Sequence, residues 1–398
     1  MVSASLSSSR FATLVLLTGL SVLPLSIFLP SLPNIATDLD TTYALVSLSV
    51  SGYLATTAIL QLMIGPLSDR FGRRPVLLVC MTLFALASLG CALVTNIWGF
   101  LAFRVVQGAV IAGYTLSLAV IRDTTSAENA AGLIGYVSMV MAVAPMTGPM
   151  IGGFLDEFFG WRASFTSLFV IGASALLICW YRLDETNRTP SDTLLAQVKS
   201  YPVLARSKRF WGYTLCMTFS IGAFYSFLAG APLVAGAMLR MPPSELGFYM
   251  GTITAGFMVG SFLAGRYAKH HALTTTMIAG RIAACIGLTA GLVFYAAGIV
   301  HVVSFFGATI FLGFGNGLTI PSSNAGALSA VPHLIGSASG LSGAITVGGG
   351  ALLMTITGSV LTERNAVFGV LAMMLLCTLI GLIAALYVRR IEGAEASR

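Results

Sequence analysis

The chain is a succession of long apolar runs separated by short polar segments. A helix of about twenty residues is about 30 Å long, which matches the thickness of the hydrocarbon core of a bilayer. With this length as the criterion, the sequence predicts twelve membrane-spanning helices. The predicted ranges are 11–33, 45–66, 76–95, 98–121, 130–155, 163–181, 210–234, 246–268, 274–297, 302–321, 338–360 and 366–388.

The scarcity of charge indicates the same class of protein. Of the 398 residues, 9% are charged and 57% are hydrophobic, whereas a soluble domain carries about a quarter charged residues. We therefore predict an all-α membrane protein in a lipid bilayer. Seventeen of the 21 basic residues, including Arg281, fall in segments predicted to be cytoplasmic. Arg162, Arg240 and Arg364 fall in segments predicted to face the outer side of the membrane, and Arg104 falls within a span. This asymmetry predicts cytoplasmic termini and no nucleic-acid partner.

One long polar segment interrupts the series of spans and divides the chain into two six-helix halves. The predicted domains are an N-terminal half over 1–181, a cytoplasmic linker over 182–209 and a C-terminal half over 210–398. A shift of 196 residues places Tyr249 on Tyr53 and Arg266 on Arg70, which indicates that the halves are pseudo-repeats. Repeats of this kind typically form one binding site near the bilayer midplane.

The predicted spans lack the groups that an enzyme needs. They contain no paired carboxylates, no histidine cluster and no nucleophile–base pair, so an enzyme is disfavoured. The six cysteines lie in apolar runs without metal-ligand spacing, and we expect neither a metal nor a cofactor. A channel is disfavoured by the division into two halves.

A densely charged segment, Gly65-Pro-Leu-Ser-Asp-Arg-Phe-Gly-Arg-Arg-Pro75, separates the second and third apolar runs. We predict a tight cytoplasmic loop, in which the glycines allow close backbone approach and the prolines mark the helix ends. Its distinctive residues are Gly65, Asp69, Arg70, Gly72, Arg73 and Arg74. An ordinary positive-inside loop is the alternative, but it explains neither the glycines nor the aspartate.

Arg104 lies inside the fourth predicted span, with Gln107 and Gly108 one turn further along. A charge at this depth costs at least ~2.5–3.5 kcal/mol on insertion scales, so the side chain must face other helices or water. A role in coupling and a structural role in bonding helix carbonyls are both compatible with this position.

The fifth predicted span is rich in small residues at helical spacing. Its small residues and proline are Gly135, Ala144, Gly148, Pro149, Gly152 and Gly153. This spacing predicts that the helix packs backbone to backbone against a neighbour and bends at the proline. Generic packing of a glycine-rich helix is the alternative to a specific role.

These segments resemble motifs of the major facilitator superfamily. The segment 65–75 is similar to the superfamily signature between helices two and three, and the sequence around Arg104 resembles the helix-four arginine motif, which is associated there with proton coupling. The fifth span resembles the antiporter signature of drug exporters, with Ala144 in place of its second glycine. Arg122-Asp123 and the segment 201–215 extend the likeness to the bicyclomycin-resistance (Bcr/CflA) branch of these exporters.

The resemblance implies the major facilitator fold, with a small-molecule substrate, protons as the coupling ion, a monomeric state and a place in the cell inner membrane. Transport is expected to proceed by rocking of the two halves. We further expect that Asp69 reaches the start of the eleventh helix near 336–340, and that Arg73 joins Asp69 to Asp123. This conformational latch would stabilise the outward-open state.

Polar and aromatic residues at helical spacing are candidate walls of a substrate cavity. Tyr53, Thr57 and Gln61 recur every four residues and share one face of the second span. The other candidates are Tyr114, Tyr136, Met139, Phe224, Tyr225, Phe257 and Asn316. Such walls suit flat, apolar compounds with a few hydrogen-bonding groups. For any single residue of this set, the alternative to a place in the cavity wall is packing against a neighbouring helix.

All fourteen acidic residues lie at span ends or in loops. The related exporters carry a carboxylate in the first helix, where Leu25, Ser26 and Ile27 stand here. No buried carboxylate is then visible, which leaves Asp38 and Asp123 as candidates for a titrating group and favours neutral or zwitterionic substrates. We predict an exporter of small, largely apolar compounds such as antibiotics of the chloramphenicol or bicyclomycin type. An exporter of sugars or amino-acid derivatives is the alternative.

Overall fold

The computed structural model describes residues 8–125, 133, 137, 140, 147–187, 202–267, 272–330 and 335–396. Within these ranges all regular structure is helical, so the predicted all-α class is confirmed. Eleven segments in them are long and apolar enough to cross a membrane. The remaining predicted span, the fifth (130–155), lies mostly outside the described residues, and its last part belongs to a helix over 147–159.

The chain divides into two compact units, Met1–Leu194 and Leu195–Arg398. The helices of the first unit are α1 (Ser8–Ser26), α2 (Leu32–Asp38), α3 (Tyr43–Phe71), α4 (Arg73–Leu93), α5 (Ile97–Gln107), α6 (Ile111–Thr124), α7 (147–159) and α8 (Arg162–Arg182). The helices of the second unit are α9 (202–206), α10 (Lys208–Val234), α11 (Pro243–Tyr267), α12 (Leu273–Ala296), α13 (Val302–Ser329), α14 (Ile335–Val360) and α15 (Ala366–Ala396).

Two of the spans contain a break, and each break has a local cause. Between α1 and α2 the chain forms a 3₁₀ turn over Leu29–Ser31, because prolines at 30 and 33 each lack the N–H that a continuous α-helix would need. Between α5 and α6 a second 3₁₀ turn covers Gly108–Val110. A Cβ on Gly108 would lie 3.1 Å from the Thr56 side chain, so glycine lets this turn approach α3 closely.

The predicted repeat has a counterpart in the helix boundaries. α3 ends at Phe71 and α11 ends at Tyr267, which is the position that a shift of 196 residues assigns to Phe71. The described ends of the predicted linker belong to the two units. Glu185, in the segment 183–187, accepts hydrogen bonds from the start of α4, while Leu204 of α9 is buried in a core with Phe210 and Tyr213.

Candidate functional site

The predicted loop over 65–75 is mostly helix, so that prediction is wrong. α3 continues through Pro66 to Phe71 and α4 begins at Arg73, which leaves Gly72 as the one residue between them. A proline removes one N–H from a helix but does not always end it, and the charged residues that follow can remain helical at the membrane surface. Gly72 has φ +97°, a backbone conformation that glycine adopts readily.

The two glycines of this segment have different surroundings. A Cβ on Gly72 would collide with the carboxylate of Glu185, so close approach at this residue is real. Among the described residues, a Cβ on Gly65 would meet nothing within 4 Å. The close backbone approach expected at Gly65 is therefore not found in the described part of the chain.

Three of the predicted latch residues meet at the junction of α3 and α4. Arg73 Nη1 lies 2.5 Å from Asp69 Oδ1, and Arg73 Nε lies 3.2 Å from Asp123 Oδ2 on α6. Arg73 also donates to Ser68 Oγ at 2.5 Å, and its side chain is only 14% exposed. One guanidinium thus joins three helices of the first unit, while the role of this cluster as a latch stays a prediction.

Sequence reasoning missed a second element of the junction, the segment that follows α8. Glu185 accepts hydrogen bonds from the backbone N–H of Arg73 at 2.9 Å and of Arg74 at 3.1 Å. Because Gly72 at the start of α4 has no side chain to cap the helix, Glu185 takes that role. Asn187 Nδ2 donates to the carbonyl of Asp69 at 2.7 Å, so the same segment holds the end of α3.

The electrostatics of Glu185 follow from these contacts. Partial burial acts to raise the pKa of its carboxyl. The backbone N–H groups of Asn187, Arg73, Arg74 and Thr186 outweigh that effect and hold the pKa of Glu185 below its usual value. The charged form is therefore the one that fits the helix start, where the macrodipole also favours a negative charge.

Of the two remaining arginines of the junction, Arg74 is half-buried and Arg70 is exposed. Arg74 donates to the Trp180 carbonyl at 2.8 Å and lies over the Trp180 ring at 5.6 Å, which attaches α4 to α8. Arg70 is exposed and lies over the ring of Phe71. A cleft of about 320 Å³ opens beside them. Its lining residues are Arg70, Phe71, Gly72, Arg74, Pro75, Glu185 and Asn187.

Arg104 lies at the end of α5, fully buried, and aromatic rings cover its guanidinium. The distances from its Cζ to the ring centroids are 4.2 Å for Phe28, 4.7 Å for Tyr53 and 5.9 Å for Phe165. A guanidinium over an aromatic face is attracted by the ring quadrupole, and the attraction is worth ~2 kcal/mol or more when the pair is desolvated. The rings thus compensate part of the cost of this buried charge.

Hydrogen bonds from two of the three guanidinium nitrogens add to the surroundings of Arg104, whose Nη2 has no partner among the described residues. Its Nε donates to the carbonyl of Ser49 on α3 at 3.3 Å, and its Nη1 donates to Gln107 Oε1. Gln107 Nε2 in turn donates to Ser88 Oγ on α4 at 2.8 Å. Arg104 and Gln107, the predicted coupling residues, therefore form one buried polar chain across α3, α5 and α4, and their role in coupling stays a prediction.

The predicted cavity residues of the first unit are mostly packed. Tyr53 is 2% exposed, covers Arg104 and donates from its hydroxyl to the Ser21 carbonyl at 3.2 Å, so it is a partner of the arginine. Thr57 is buried and Gln61 is half-buried on the same helix. Tyr114 is half-buried. Tyr136 and Met139 lie outside the described residues.

The assignment of Arg281 to the cytoplasmic side is wrong. Arg281 is the ninth residue of α12, about 12 Å along the helix from its start, and it is fully buried. Its Nη2 donates to Asn316 Oδ1 at 2.6 Å and its Nε donates to Thr319 Oγ1 at 3.0 Å. The signal was present in the sequence, since the predicted span 274–297 already contains this residue. The number of basic residues assigned to the cytoplasmic side therefore falls from seventeen to sixteen.

Asn316, a predicted cavity residue, is thus a partner of Arg281 rather than an open wall. Its Nδ2 donates to the Ser220 carbonyl at 3.0 Å. Tyr225 is buried against Gly350 of α14. Phe224 and Phe257 are half-buried. The assembly of the candidates into one cavity stays a prediction.

The described part of the fifth predicted span packs tightly on the first helix. A Cβ on Gly148 would collide with Ser26 Oγ, and a Cβ on Gly152 would collide with the Ile27 carbonyl. Pro149 and Gly153 are buried in the same helix, α7. Gly135 lies outside the described residues.

α7 also carries a buried carboxylate, so the expectation that none would be found is wrong. Asp156 is 6% exposed, and its Oδ2 accepts from Asn34 Nδ2 on α2 at 2.7 Å. The two predicted titrating residues lie instead in ion pairs: Asp38 with Arg162 at 2.6 Å, and Asp123 with Arg73. Asp156 was missed because it stands one residue past a predicted span end, where hydropathy does not reveal packing.

Comparison with known proteins assigns the chain to a family. Residues 14–354 match the family described as Major Facilitator Superfamily. The chain is 34% identical over 372 residues to a protein of Bacillus subtilis (strain 168) named as the uncharacterized MFS-type transporter YdgK, with 90% of each chain covered. It is 27% identical to the bicyclomycin resistance protein homolog of Haemophilus influenzae, covering 90% of this chain and 92% of that one.

A solved structure shows the same fold. The crystal structure of a D-xylose-proton symporter superposes with a TM-score of 0.76 at 17% identity, covering 96% of each chain. The family match spans most of the sequence, and the predicted resemblance is confirmed. The chain belongs to the Major Facilitator Superfamily, a family of multi-pass membrane transporters.

Proposed function

We propose that the protein exports small, largely apolar compounds, antibiotics among them, across the cytoplasmic membrane of a bacterial cell. The observation that carries this proposal is the relatedness to the bicyclomycin resistance protein homolog over nine-tenths of the chain. Export of sugars or amino-acid derivatives is less supported, because the likeness to a sugar symporter is one of fold at 17% identity.

The direct test is resistance. Expression of the chain in a bacterial strain depleted of its own exporters should raise the minimal inhibitory concentrations of bicyclomycin and chloramphenicol severalfold. The matched control is Arg104→Leu, which removes the buried guanidinium and leaves its ring partners in place. Equal sensitivity of cells with the wild-type chain and with an empty vector, at equal membrane levels, would refute drug export.

We further propose that the cluster of Asp69, Arg73 and Asp123, together with Glu185, acts as a conformational latch in the transport cycle. The support is geometric, because Arg73 bonds both aspartates and Glu185 bonds the backbone of α4. Asp69→Asn should leave expression unchanged and slow export. Arg73→Ala should act similarly, and the double variant should show a less than additive loss, since both changes open one cluster.

Proton antiport is proposed with Asp156 as the titrating group. A carboxylate that is buried among neutral partners can change its protonation when a conformational change alters its exposure. Asp156→Asn should abolish transport driven by an imposed pH gradient while preserving exchange of labelled for unlabelled substrate. Loss of both activities to the same degree, in a protein that still folds, would remove Asp156 from this role.

Cytoplasmic termini remain part of the proposal. Sixteen basic residues lie in segments assigned to the cytoplasm, against three in segments assigned to the outside. A cysteine at position 240, in a cysteine-free background, should react with an impermeant maleimide added to intact cells. Reaction only after the inner face is exposed would reverse the orientation.

A further inference from the structure

Two arginines are fully buried within the membrane helices of the described structure, one in each unit. Arg104 lies on α5 and Arg281 on α12, and neither has any exposed surface. A charge in the middle of a span is costly, so each guanidinium needs compensation from its surroundings. The two sites differ in how much compensation they provide.

Arg104 is compensated by the protein itself. Three aromatic rings lie within 6 Å of its guanidinium carbon, and Ser49 and Gln107 accept its hydrogen bonds. Its Nη2 has no hydrogen-bond partner among the described residues, as is also true of Nη1 in Arg281. The difference between the two sites is therefore the aromatic rings, which stabilise the charge of Arg104 through the fold.

Arg281 has no comparable compensation. Among the described residues, its acceptors are the neutral oxygens of Asn316 and Thr319, and its Nη1 has no hydrogen-bond partner. Within the described ranges no aromatic ring lies over its guanidinium. The thiols of Cys216 and Cys285 are near enough to interact with its charge. The carboxylates of Glu245, Glu363 and Glu392 stand instead at or beyond the ends of other helices.

The unpartnered nitrogen is held in a fixed position. Asn316 is anchored by the Ser220 carbonyl, and the hydroxyl of Thr319 donates to the Gly315 carbonyl at 2.7 Å, which leaves its lone pair for Arg281 Nε. Gly381 on α15 lies beside the arginine stem, where a Cβ would be in ordinary contact with Arg281 Cδ at 3.4 Å. Since Nε and Nη2 are pinned, the guanidinium plane is fixed and Nη1 keeps two N–H donors for another group.

We propose that Arg281 forms an anion-binding site in the second unit, which takes one singly charged group such as a carboxylate or a halide. A carboxylate or a halide accepts charge-assisted hydrogen bonds from a guanidinium nitrogen, and desolvation strengthens these bonds. The group has two possible sources: a carboxylate on a compound that is exported, which rests on the proposed function, or free chloride, which does not.

The experiment measures binding rather than transport. The full-length protein, purified in detergent and in a Hepes–N-methylglucamine buffer without chloride, is titrated with salicylate, with its neutral analogue salicylamide, or with chloride. The unfolding temperature should rise saturably with salicylate, with chloride or with both, and should not change with salicylamide. A response to salicylate alone assigns the site to an organic carboxylate, and a response to chloride alone assigns it to an inorganic anion.

Variants connect the response to Arg281. Arg281→Gln should abolish the shift, and Arg281→Lys should weaken the apparent affinity at least tenfold, because lysine keeps the charge but lacks the rigid guanidinium plane that Thr319 and Asn316 hold in place. Thr218→Val is the matched control, since Thr218 is buried in the same unit and its contact is with Thr346; its response should equal that of the wild type.

Three results would overturn the proposal: no saturable shift in the wild type with either anion, an equal shift with salicylamide, or an unchanged shift in Arg281→Gln. If Arg281→Gln does not fold, the proposal is tested instead by the difference between salicylate and salicylamide in the wild type and by the weaker response of Arg281→Lys. Binding without drug resistance would contradict the proposed export and leave the anion site standing.

Discussion

Replacement of Gly72 by alanine tests the junction between α3 and α4. At φ +97° and ψ 150° the backbone of Gly72 occupies a region that is essentially restricted to glycine, which costs another residue of order 1–3 kcal/mol. The added Cβ would also displace the Glu185 carboxylate from the N–H groups of Arg73 and Arg74. Two such hydrogen bonds are worth about 0.5–1.5 kcal/mol each, and Glu185 is exposed, so we take about 1 kcal/mol for the pair.

The expected loss of unfolding free energy for Gly72→Ala is therefore about 2–4 kcal/mol. The part that belongs to Glu185 is isolated by a double-mutant cycle. In a Glu185→Ala background the same substitution should cost about 1 kcal/mol less, which is about a fivefold difference in the unfolding equilibrium. Gly160→Ala is the matched control, because Gly160 has φ +79° and no atom lies within 4 Å of an added Cβ.

The measurement is reversible unfolding in mixed micelles, followed by tryptophan fluorescence as SDS is increased. Gly160→Ala should lose stability by backbone strain alone and should show no coupling to Glu185→Ala. An equal cost of Gly72→Ala in both backgrounds would contradict the role of Glu185 at this helix start. A cost below about 0.5 kcal/mol would contradict the backbone conformation itself.

Three further predictions concern other parts of the chain. The pKa of Glu185 is lowered on folding, so its contribution to stability is present at pH values above its pKa in the unfolded chain, about 4.3, and is lost as the pH falls through its pKa in the folded protein. Glu185→Gln should remove this pH dependence of the melting temperature in acid. Gln107→Leu should cost about 1–3 kcal/mol, since it leaves Nη1 of Arg104 without its acceptor. Gly152→Ala should abolish folding, because the added Cβ would collide with the backbone carbonyl of Ile27, the residue after α1. Gly65→Ala should be tolerated, because no described atom lies within 4 Å of the added Cβ. Expression and thermal melts of both variants check this.

The fold class was predictable because the bilayer fixes how long an apolar run must be. Eleven predicted spans have counterparts of sufficient length and hydropathy in the described part of the chain. Helix ends were less predictable. A charged residue marks the membrane surface but not the end of the helix, and α3 therefore continues through Asp69 and Arg70 to Phe71.

The contacts of the site were harder to predict from the sequence. Arg73 and Asp123 were expected to meet and do so, because Arg73 precedes the third predicted span and Asp123 follows the fourth, which places both at the same end of neighbouring helices. Glu185 was missed, since it is separated from Arg73 by 112 positions and no local pattern indicates which helix it caps. Arg281 was misplaced because it was grouped with basic residues near a span end, although its position within an apolar run already indicated burial.

The most direct test of export uses everted membrane vesicles from cells that express the chain. Energised vesicles should accumulate labelled chloramphenicol against its gradient, an uncoupler should release it, and vesicles with Asp156→Asn should fail to accumulate it while still exchanging it. Accumulation of a labelled sugar in its place, or no accumulation of either compound by vesicles that contain folded protein, would contradict the assignment of this transporter as a drug exporter.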